Sequence, residues 1–575
     1  MLFYKAMTKR WVLKENADTE TVQRLADVLN IRPGLANLLG QRGITSYEEA
    51  HQFFRPALEQ LHDPWQMADM PKAVDRLNEA IAKEERILIY GDYDVDGTTS
   101  VALAYGFLKE FYDKLDFYIP DRYAEGYGIS EQGIDYAIAE GYGLIISLDC
   151  GIKAVNTIKR AAEAGIDFIV CDHHLPGDEL PPAVAVLDPK RHDCPYPYKE
   201  LSGAGIGFKF MQAYSLKNEI PLSHLYQYLD LVAVSIAADI VPITGENRIL
   251  AYWGLKKLNK RPRPGLQALI DQAAFRKELD ISSIVFGIGP RINASGRIAH
   301  AKMAVKLLLS DNAEKANGLA DSVNDKNLLR RNFDNTITQE AISMIENDPT
   351  YKDHRSTVLF KKDWHKGVIG IVASRCVDTY YRPTIILTES NAKATGSARS
   401  VTGFDIYEAI QECSDLLLQY GGHMYAAGLT LEVENVPAFQ KKFEEVVARR
   451  IKPEHLVPQL EIDMELSLAD ITPKFYKILN QMAPFGPGNM QPVFTTKKVR
   501  AAGRPRVLKE RHLKLPVAEE ESGVVFEAIG FDMGQYFDLV ASGMPFDIAY
   551  SIEVNDFYNE GTLELYLRDL KFEED

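Results

Sequence analysis

Four apolar runs of strand length, each ending in acidic or histidine-bearing sequence, constrain this chain more than any other feature. Arg86-Ile-Leu-Ile-Tyr90 leads into Gly91-Asp-Tyr-Asp-Val-Asp-Gly97, and Leu144-Ile-Ile-Ser-Leu148 into Asp149-Cys-Gly151. Phe168-Ile-Val-Cys171 leads into Asp172-His-His174, and Leu231-Val-Ala-Val-Ser-Ile-Ala-Ala238 into Asp239. Helix-like sequence follows or flanks each run, which predicts successive βα units and a parallel sheet. The carboxyl ends of such strands open onto one crevice, where ligands bind. Asp94, Asp96, Asp149, His173, His174 and Asp239 are therefore expected to converge there. Hard carboxylates with imidazole suit Mn²⁺ or Mg²⁺ rather than a structural zinc.

A single Asp at a strand end is ordinarily a helix cap or a turn residue. The joint pattern is different. Asp92, Asp94 and Asp96 fall within five residues, and their mutual repulsion calls for a cation or a strong compensating field. A calcium loop of the EF-hand type would need a bidentate Glu at its twelfth position, which here falls in Val101-Ala-Leu. The segment also follows a strand-like run, not a helix.

The order and context of these motifs resemble the DHH phosphoesterase superfamily, and within it the bacterial single-strand-specific exonucleases. The resemblance continues through Pro120-Asp-Arg-Tyr-Ala-Glu-Gly-Tyr-Gly128, Leu201-Ser-Gly-Ala-Gly-Ile-Gly-Phe-Lys209 and Gly289-Pro-Arg-Ile-Asn-Ala-Ser-Gly-Arg297. It extends to Trp364-His-Lys-Gly-Val-Ile-Gly370, Gly396-Ser-Ala-Arg-Ser400, Gly421-Gly-His423 and Pro484-Phe-Gly-Pro-Gly-Asn489, so it covers residues 10 to 570 or so. One departure stands out. Many members carry a His just before the first Asp pair, where Tyr90 or Asp92 falls here, which leaves open which of Asp92 and Asp94 reaches a metal.

The resemblance implies an α/β fold. A parallel-sheet DHH domain is joined by a long helix to a second α/β domain of DHHA1 type, followed by a β-barrel with an OB-fold. It implies exonucleolytic hydrolysis of single-stranded DNA to mononucleotides by two Mn²⁺ or Mg²⁺ ions. Asp94, Asp96, Asp149, His173 and Asp239 are the expected metal ligands, and Asp96, Asp149, His173 and His174 the catalytic set. His174 is either a further ligand or a phosphate contact, and Asp172, with Asp92, is expected to stand behind the ligands and orient a histidine ring. A cleft between the two α/β bodies would admit one strand only. Cutting from the 5′ end, a role in DNA repair and recombination, and a helicase and a single-strand-binding protein as partners rest on the resemblance alone. A DHH enzyme acting on short oligoribonucleotides or cyclic dinucleotides is the alternative, though a dinucleotide needs no long track. A catalytically dead scaffold would have lost ligands, and none is lost.

At 575 residues the chain is long enough for three or four domains. The expected segments are a helical one over 1–75, the DHH domain over 76–310, a connecting helix over 311–350, the DHHA1-type domain over 351–452 and the barrel over 453–575. In the second domain, Ser356–Phe360 and Pro383–Thr388 read as strands, with glycine-rich turns at Gly396 and Gly421-Gly422. No run approaches the roughly 20 apolar residues of a membrane span, so no membrane contact is expected. The start lacks a signal-peptide core, and Met7 is as plausible a first residue as Met1. Five scattered cysteines without a C-x-x-C pair fit reduced thiols in a cytoplasm.

The net charge of −16 means that any nucleic-acid contact must rest on local positive charge. Lys497, Lys498, Arg500, Arg504, Arg506, Lys509, Arg511 and Lys514 crowd one short stretch against a single acid, Glu510. In an acidic chain this is what a track along a phosphate backbone requires. Phe494, His512 and Phe526 are candidate stacking partners or core residues. A second phosphate site is expected at Ser397 and Arg399, with Gly421-Gly-His423 permitting close backbone approach. The resemblance marks this turn as a terminal-phosphate pocket. Arg122, Arg291 and Arg297 read as loop residues able to join it, and Tyr127, between two glycines, as a base-stacking or turn-closing residue.

Overall fold

The computed structural model describes residues 9–520, 522–555 and 561–572. The question of a start at Met1 or Met7 lies outside them. The chain divides into two compact units. One comprises Glu48–Leu329 with Met482–Gln491, and the other Met1–Tyr47, Arg330–Gln481 and Pro492–Asp575. Residues 1–75 are therefore not one segment. The strand Arg10–Leu13, where only helix was expected, pairs in parallel with Gln459–Ile462.

The first unit is built on a five-stranded, wholly parallel sheet: β1 (Arg86–Gly91), β2 (Leu115–Tyr118), β3 (Tyr142–Leu148), β4 (Asp167–Cys171) and β5 (Ala185–Leu187). The spatial order is β2-β1-β3-β4-β5. Successive residues of β1 serve opposite faces. Ile87 and Ile89 join one core cluster, Leu88 and Tyr90 the other. Burial on both faces explains why these strands read as continuous apolar runs rather than alternating ones. The order reverses between β1 and β3, which makes their carboxyl ends the topological switch point, where ligands are expected.

The fourth run departs from expectation. Leu229–Ala238 is a helix, buried on all sides, and Asp239 is its C-cap. A short apolar run without period cannot distinguish a buried strand from a buried helix. Here the segment packs among the helices Val95–Lys109, Gly203–Lys217 and Gly245–Lys260 instead of joining the sheet.

In the second unit, a mixed sheet runs in the order Gln419–His423, Ala426–Leu431, Lys393–Arg399, Thr384–Ser390, Thr357–Phe360. Only the last two strands are parallel. The expected turns at Gly396 and Gly421-Gly422 are strand interiors. Gly421 lies opposite Gly428, which lies opposite Ser397, so small residues stack across three strands. The barrel closes on five strands, Phe494–Ala501, Phe546–Asn555, Thr562–Phe572, Val525–Gly530 and His512–Glu519, with the last pairing back to the first. Leu513, Leu515 and Val517 alternate inward along one of them, and closure leaves no free edge there. Phe494 is fully buried in this core against Phe475 and Tyr550, so it is not a stacking platform. A single helix, Ala313–Asn347, occupies the expected connecting segment. Among the described residues no helix is long and apolar enough to cross a membrane.

Candidate metal centre

The turn after β1 is tight because Gly97 permits it. A Cβ at Gly97 would lie 2.3 Å from the carbonyl oxygen of Asp92. This turn starts helix α1 (Val95–Lys109), and Asp94 is its N-cap, one carboxylate oxygen accepting from Gly97 N at 3.0 Å. Asp96 enters from the first turn of α1. Its two oxygens accept from Gly203 N at 2.7 Å and Ala204 N at 2.9 Å, the first amides of helix α2 (Gly203–Lys217). Ser235 Oγ adds a third bond at 2.7 Å and is tied to Ser202 Oγ at 2.6 Å. A helix N-terminus stabilises a carboxylate by aimed amides and by its dipole. Gly203 has a second role, since a Cβ there would sit 2.7 Å from that of Asp149. Asp149 itself follows β3 at φ 59°, a strained conformation for a non-glycine residue and typical of functional turns.

From β4, Asp172 accepts the amides of Ile152 at 2.9 Å and His173 at 2.8 Å, and binds His174 Nδ1 at 2.7 Å. It is the residue that orients a histidine ring. Burial works against its charge, but the hydrogen bond and charge of His174 hold it down to about 2. His174, despite its own desolvation, is raised to about 9 by the same partner. His173 points into the cluster. Its Nε2 lies 3.1 Å from Asp149, 3.5 Å from Asp239 and 3.8 Å from Asp96. Burial pushes this imidazole toward its neutral form. Neither ring nitrogen has a hydrogen-bond partner, and Asp92 Oδ2 has none either.

Two groups that could hold a cation result, Asp149–His173–His174 and Asp96–His173–Asp239, with their candidate ligand atoms within 4.8 Å of one another. Asp94 stands outside both. Burial, and then the neighbouring carboxylates, raise Asp149 well above the ordinary range and Asp239 to about 8. An imidazole without hydrogen-bond partners among crowded carboxylates fits a divalent cation. Asp92 lies behind, one oxygen 3.3 Å from Gly128 N.

The phosphate-binding expectations separate. Tyr127 reaches the centre. Its hydroxyl donates to the Asp149 carbonyl at 3.2 Å and lies 3.2 Å from His174 Nε2, while the residue is 54% exposed. Arg122 stacks on Tyr93 at 4.7 Å, beside the Asp92–Asp96 turn. Arg291 and Arg297 are in a helix, Gly289–Ile298, not in loops. Arg291 is occupied with packing, donating to Gly287 O at 2.6 Å and Gln272 O at 3.3 Å. The carbonyl of Arg297 accepts from the Tyr123 hydroxyl. In the second unit, Arg399 Nη1 donates to Ser397 Oγ at 3.0 Å. A Cβ on Gly370, in the first turn of the helix Ile369–Tyr380, would lie 2.9 Å from each of those two side chains. His423 is exposed two strands away, in register with Arg399 through Ala426. In the barrel, Lys497, Arg500, Arg511 and Lys514 pair with Glu465, Glu520, Asp532 and Glu564. Arg504, Arg506 and Lys509 remain exposed and unpaired among the described residues, on a hairpin turning through Lys509 and Glu510.

Sequence reasoning did not single out Ser202, Ser235 or Gly203 as supports of Asp96 and Asp149. The small-residue start of α2 was the one available signal. Asp188, buried at the end of β5 with Oδ2 unpartnered, was also missed.

The raised groups give a thermal prediction. Asp239 and His174 hold protons in the fold up to about 8 and about 9 that the unfolded chain releases earlier. Metal-free protein should therefore lose stability as pH rises from about 6.5 to 8. Cation binding displaces the Asp239 proton, so the gain in Tm with Mn²⁺ over EDTA should widen across that window. A gain that is flat or shrinking with pH would show that Asp239 does not hold the ion.

Family profiles match three stretches: the DHH family, N-terminal domain, over residues 86–236, the DHHA1 domain over 354–449, and the RecJ OB domain over 462–569. The single-stranded-DNA-specific exonuclease RecJ of Bacillus subtilis (strain 168) is 37% identical over 98% of this chain and 71% of that protein. The protein of the same name from Escherichia coli (strain K12) is 32% identical over 95% of this chain and 97% of its own. The crystal structure of RecJ in complex with Mn²⁺ from Thermus thermophilus superposes with a TM-score of 0.84 at 27% identity, covering 98% of this chain and 80% of that one. The Mg²⁺ complex from the same organism gives 0.79 at 26% identity, covering 98% and 79%.

Proposed function

The chain belongs to the RecJ family of single-stranded-DNA-specific exonucleases, and from that premise we propose that it degrades single-stranded DNA from the 5′ end, releasing mononucleotides. The observation that carries the chemistry is the orphaned His173 ring among Asp96, Asp149 and Asp239. Asp96, Asp149, His173 and Asp239 would hold Mn²⁺ or Mg²⁺, which would supply positive charge at the scissile phosphate and make water a usable nucleophile near neutral pH. The chain's own residues do the rest. The amides of α2 and Ser235 fix the Asp96 carboxylate in place, and Asp172 fixes the His174 ring. The charged His174, 44% exposed in its side chain, offers a hydrogen bond and a positive charge to a phosphate oxygen. Tyr127 presents its open ring to a base.

Ser397 and Arg399, against the first turn of Ile369–Tyr380, supply a guanidinium, a hydroxyl and helix amides for a terminal phosphate. Such a contact would favour ends and set the register of cutting. A 5′-phosphorylated strand should then be cut faster than its 5′-hydroxyl counterpart, mainly through KM. Arg399→Ala should erase that preference and leave the metal-dependent Tm gain intact. Parallel kinetics of both substrates on both proteins test this. A preference retained in full by the variant would place the pocket elsewhere, with Arg122 and Arg297 next. An enzyme confined to single strands depends on others to open and protect them. A cytoplasmic helicase and a single-strand-binding protein acting in repair and recombination are the fitting partners.

A further inference from the structure

A cavity lies within the second unit, where the helix Ala313–Asn347 gives way to Asp348–Arg355. Its volume is about 620 Å³, in the range of small-ligand sites. Arg382 lines it and is only 7% exposed. The guanidinium makes no ion pair among the described residues. Nη1 donates to the carbonyls of Tyr351 at 2.7 Å and His354 at 2.8 Å, and Nε to Thr357 Oγ1 at 2.8 Å. Those bonds clamp the Pro349–Lys352 turn and would suffice for a structural arginine. Nη2 has no protein acceptor among the described residues, and the carboxylate of Glu444 offsets the buried charge without forming an ion pair with it.

The surroundings suit one kind of anion. Lys352 and Arg355 add positive charge at the rim, and with Arg382 they outnumber the two carboxylates, Glu346 and Asp348, that line the same cavity. The rings of Tyr351 and Tyr380 face the guanidinium at 5.7 Å and 5.4 Å from their centroids. Tyr381 lines the same cavity from a left-handed conformation, φ 47°, at the C-cap of Ile369–Tyr380. Glycine is the usual residue there, and a tyrosine strains the backbone. A cavity this large, with aromatic walls and a guanidinium, exceeds what an inorganic anion fills.

We propose that the cavity around Arg382 is a binding site for a nucleoside monophosphate, the phosphate meeting Arg382 Nη2 and Arg355 and the base lying on the tyrosine rings. A guanidinium recognises phosphate and a tyrosine ring stacks on any base, so the site takes the class rather than one nucleotide. Its lining shares no residue with the metal ligands or with Ser397 and Arg399.

The test is equilibrium dialysis of 5′-dAMP against the full-length protein in EDTA, with inorganic phosphate and deoxyadenosine as competitors. The expected result is saturable binding to wild type, part of which Arg399→Ala retains. Arg355→Glu, a surface change, and Tyr381→Gly, which relieves the strained backbone, should each weaken it at least tenfold while Tm shows both variants folded. Absence of binding to wild type overturns the proposal. So does binding lost with Arg399→Ala but kept by the two cavity variants, or phosphate competing as tightly as the nucleotide.

Discussion

Asp149→Ala is expected to lower single-turnover cleavage of 5′-labelled single strands by more than about 10³-fold, roughly 4 kcal/mol of barrier. Asp149 is shared between the strained turn after β3 and the ligand group with His173 and His174. Its removal takes away a ligand atom and leaves His173 facing one carboxylate fewer. Affinity for the strand should hold or rise slightly, because a negative charge near the phosphates is gone. Alanine is itself disfavoured at φ 59°, so Asp149→Asn is the companion variant. Asparagine tolerates that conformation and keeps the shape without the charge. Both variants should be inactive, with Asp149→Asn melting close to wild type. Turnover within about tenfold of wild type in either would remove Asp149 from the centre.

Reversing Arg504, Arg506 and Lys509 to Glu is expected to weaken binding of long single strands strongly and to flatten its salt dependence. If each residue meets one phosphate, losing three contacts makes the slope of log K against log salt shallower by about 2. These side chains stand exposed on the hairpin before His512–Glu519, while their neighbours Arg500, Arg511 and Lys514 are neutralised by barrel carboxylates. The effective track is therefore narrower than the basic stretch suggested. Very short oligonucleotides should be cut as before, since binding so few phosphates at the metal centre leaves none for the track. Equal loss on short and long substrates, with Tm unchanged, would show that the stretch serves the catalytic unit instead.

Much of the site was legible because ligand chemistry is written in residue type and position. Acids and histidines at the ends of β1, β3 and β4 could be found without coordinates, since a parallel sheet brings its strand ends to one side. The order of strands was not legible, and it is the reversal between β1 and β3 that places Asp96 beside Asp149. Asp239 was identified for a wrong reason. Its run is a buried helix, and periodicity is silent when every face of a segment is buried. Gly396 and Gly421 read as turns because glycine is common in turns, yet antiparallel pairing uses them as close-packed strand positions.

The sequence by itself pointed to the metal class, the candidate ligands and the basic stretch, which follow from local composition along the chain, and its resemblance to a known family gave the kinds of its three family domains. Only the tertiary structure decided which groups are spent on the fold and which are left over. It gave the carboxylate of Asp94 to a helix cap, Arg291 to backbone carbonyls, and the amides of α2 to Asp96. It left His173 without a partner. The physical reason is that a buried polar group must be satisfied by neighbours distant in sequence, so its availability for function is a property of packing, not of the residue.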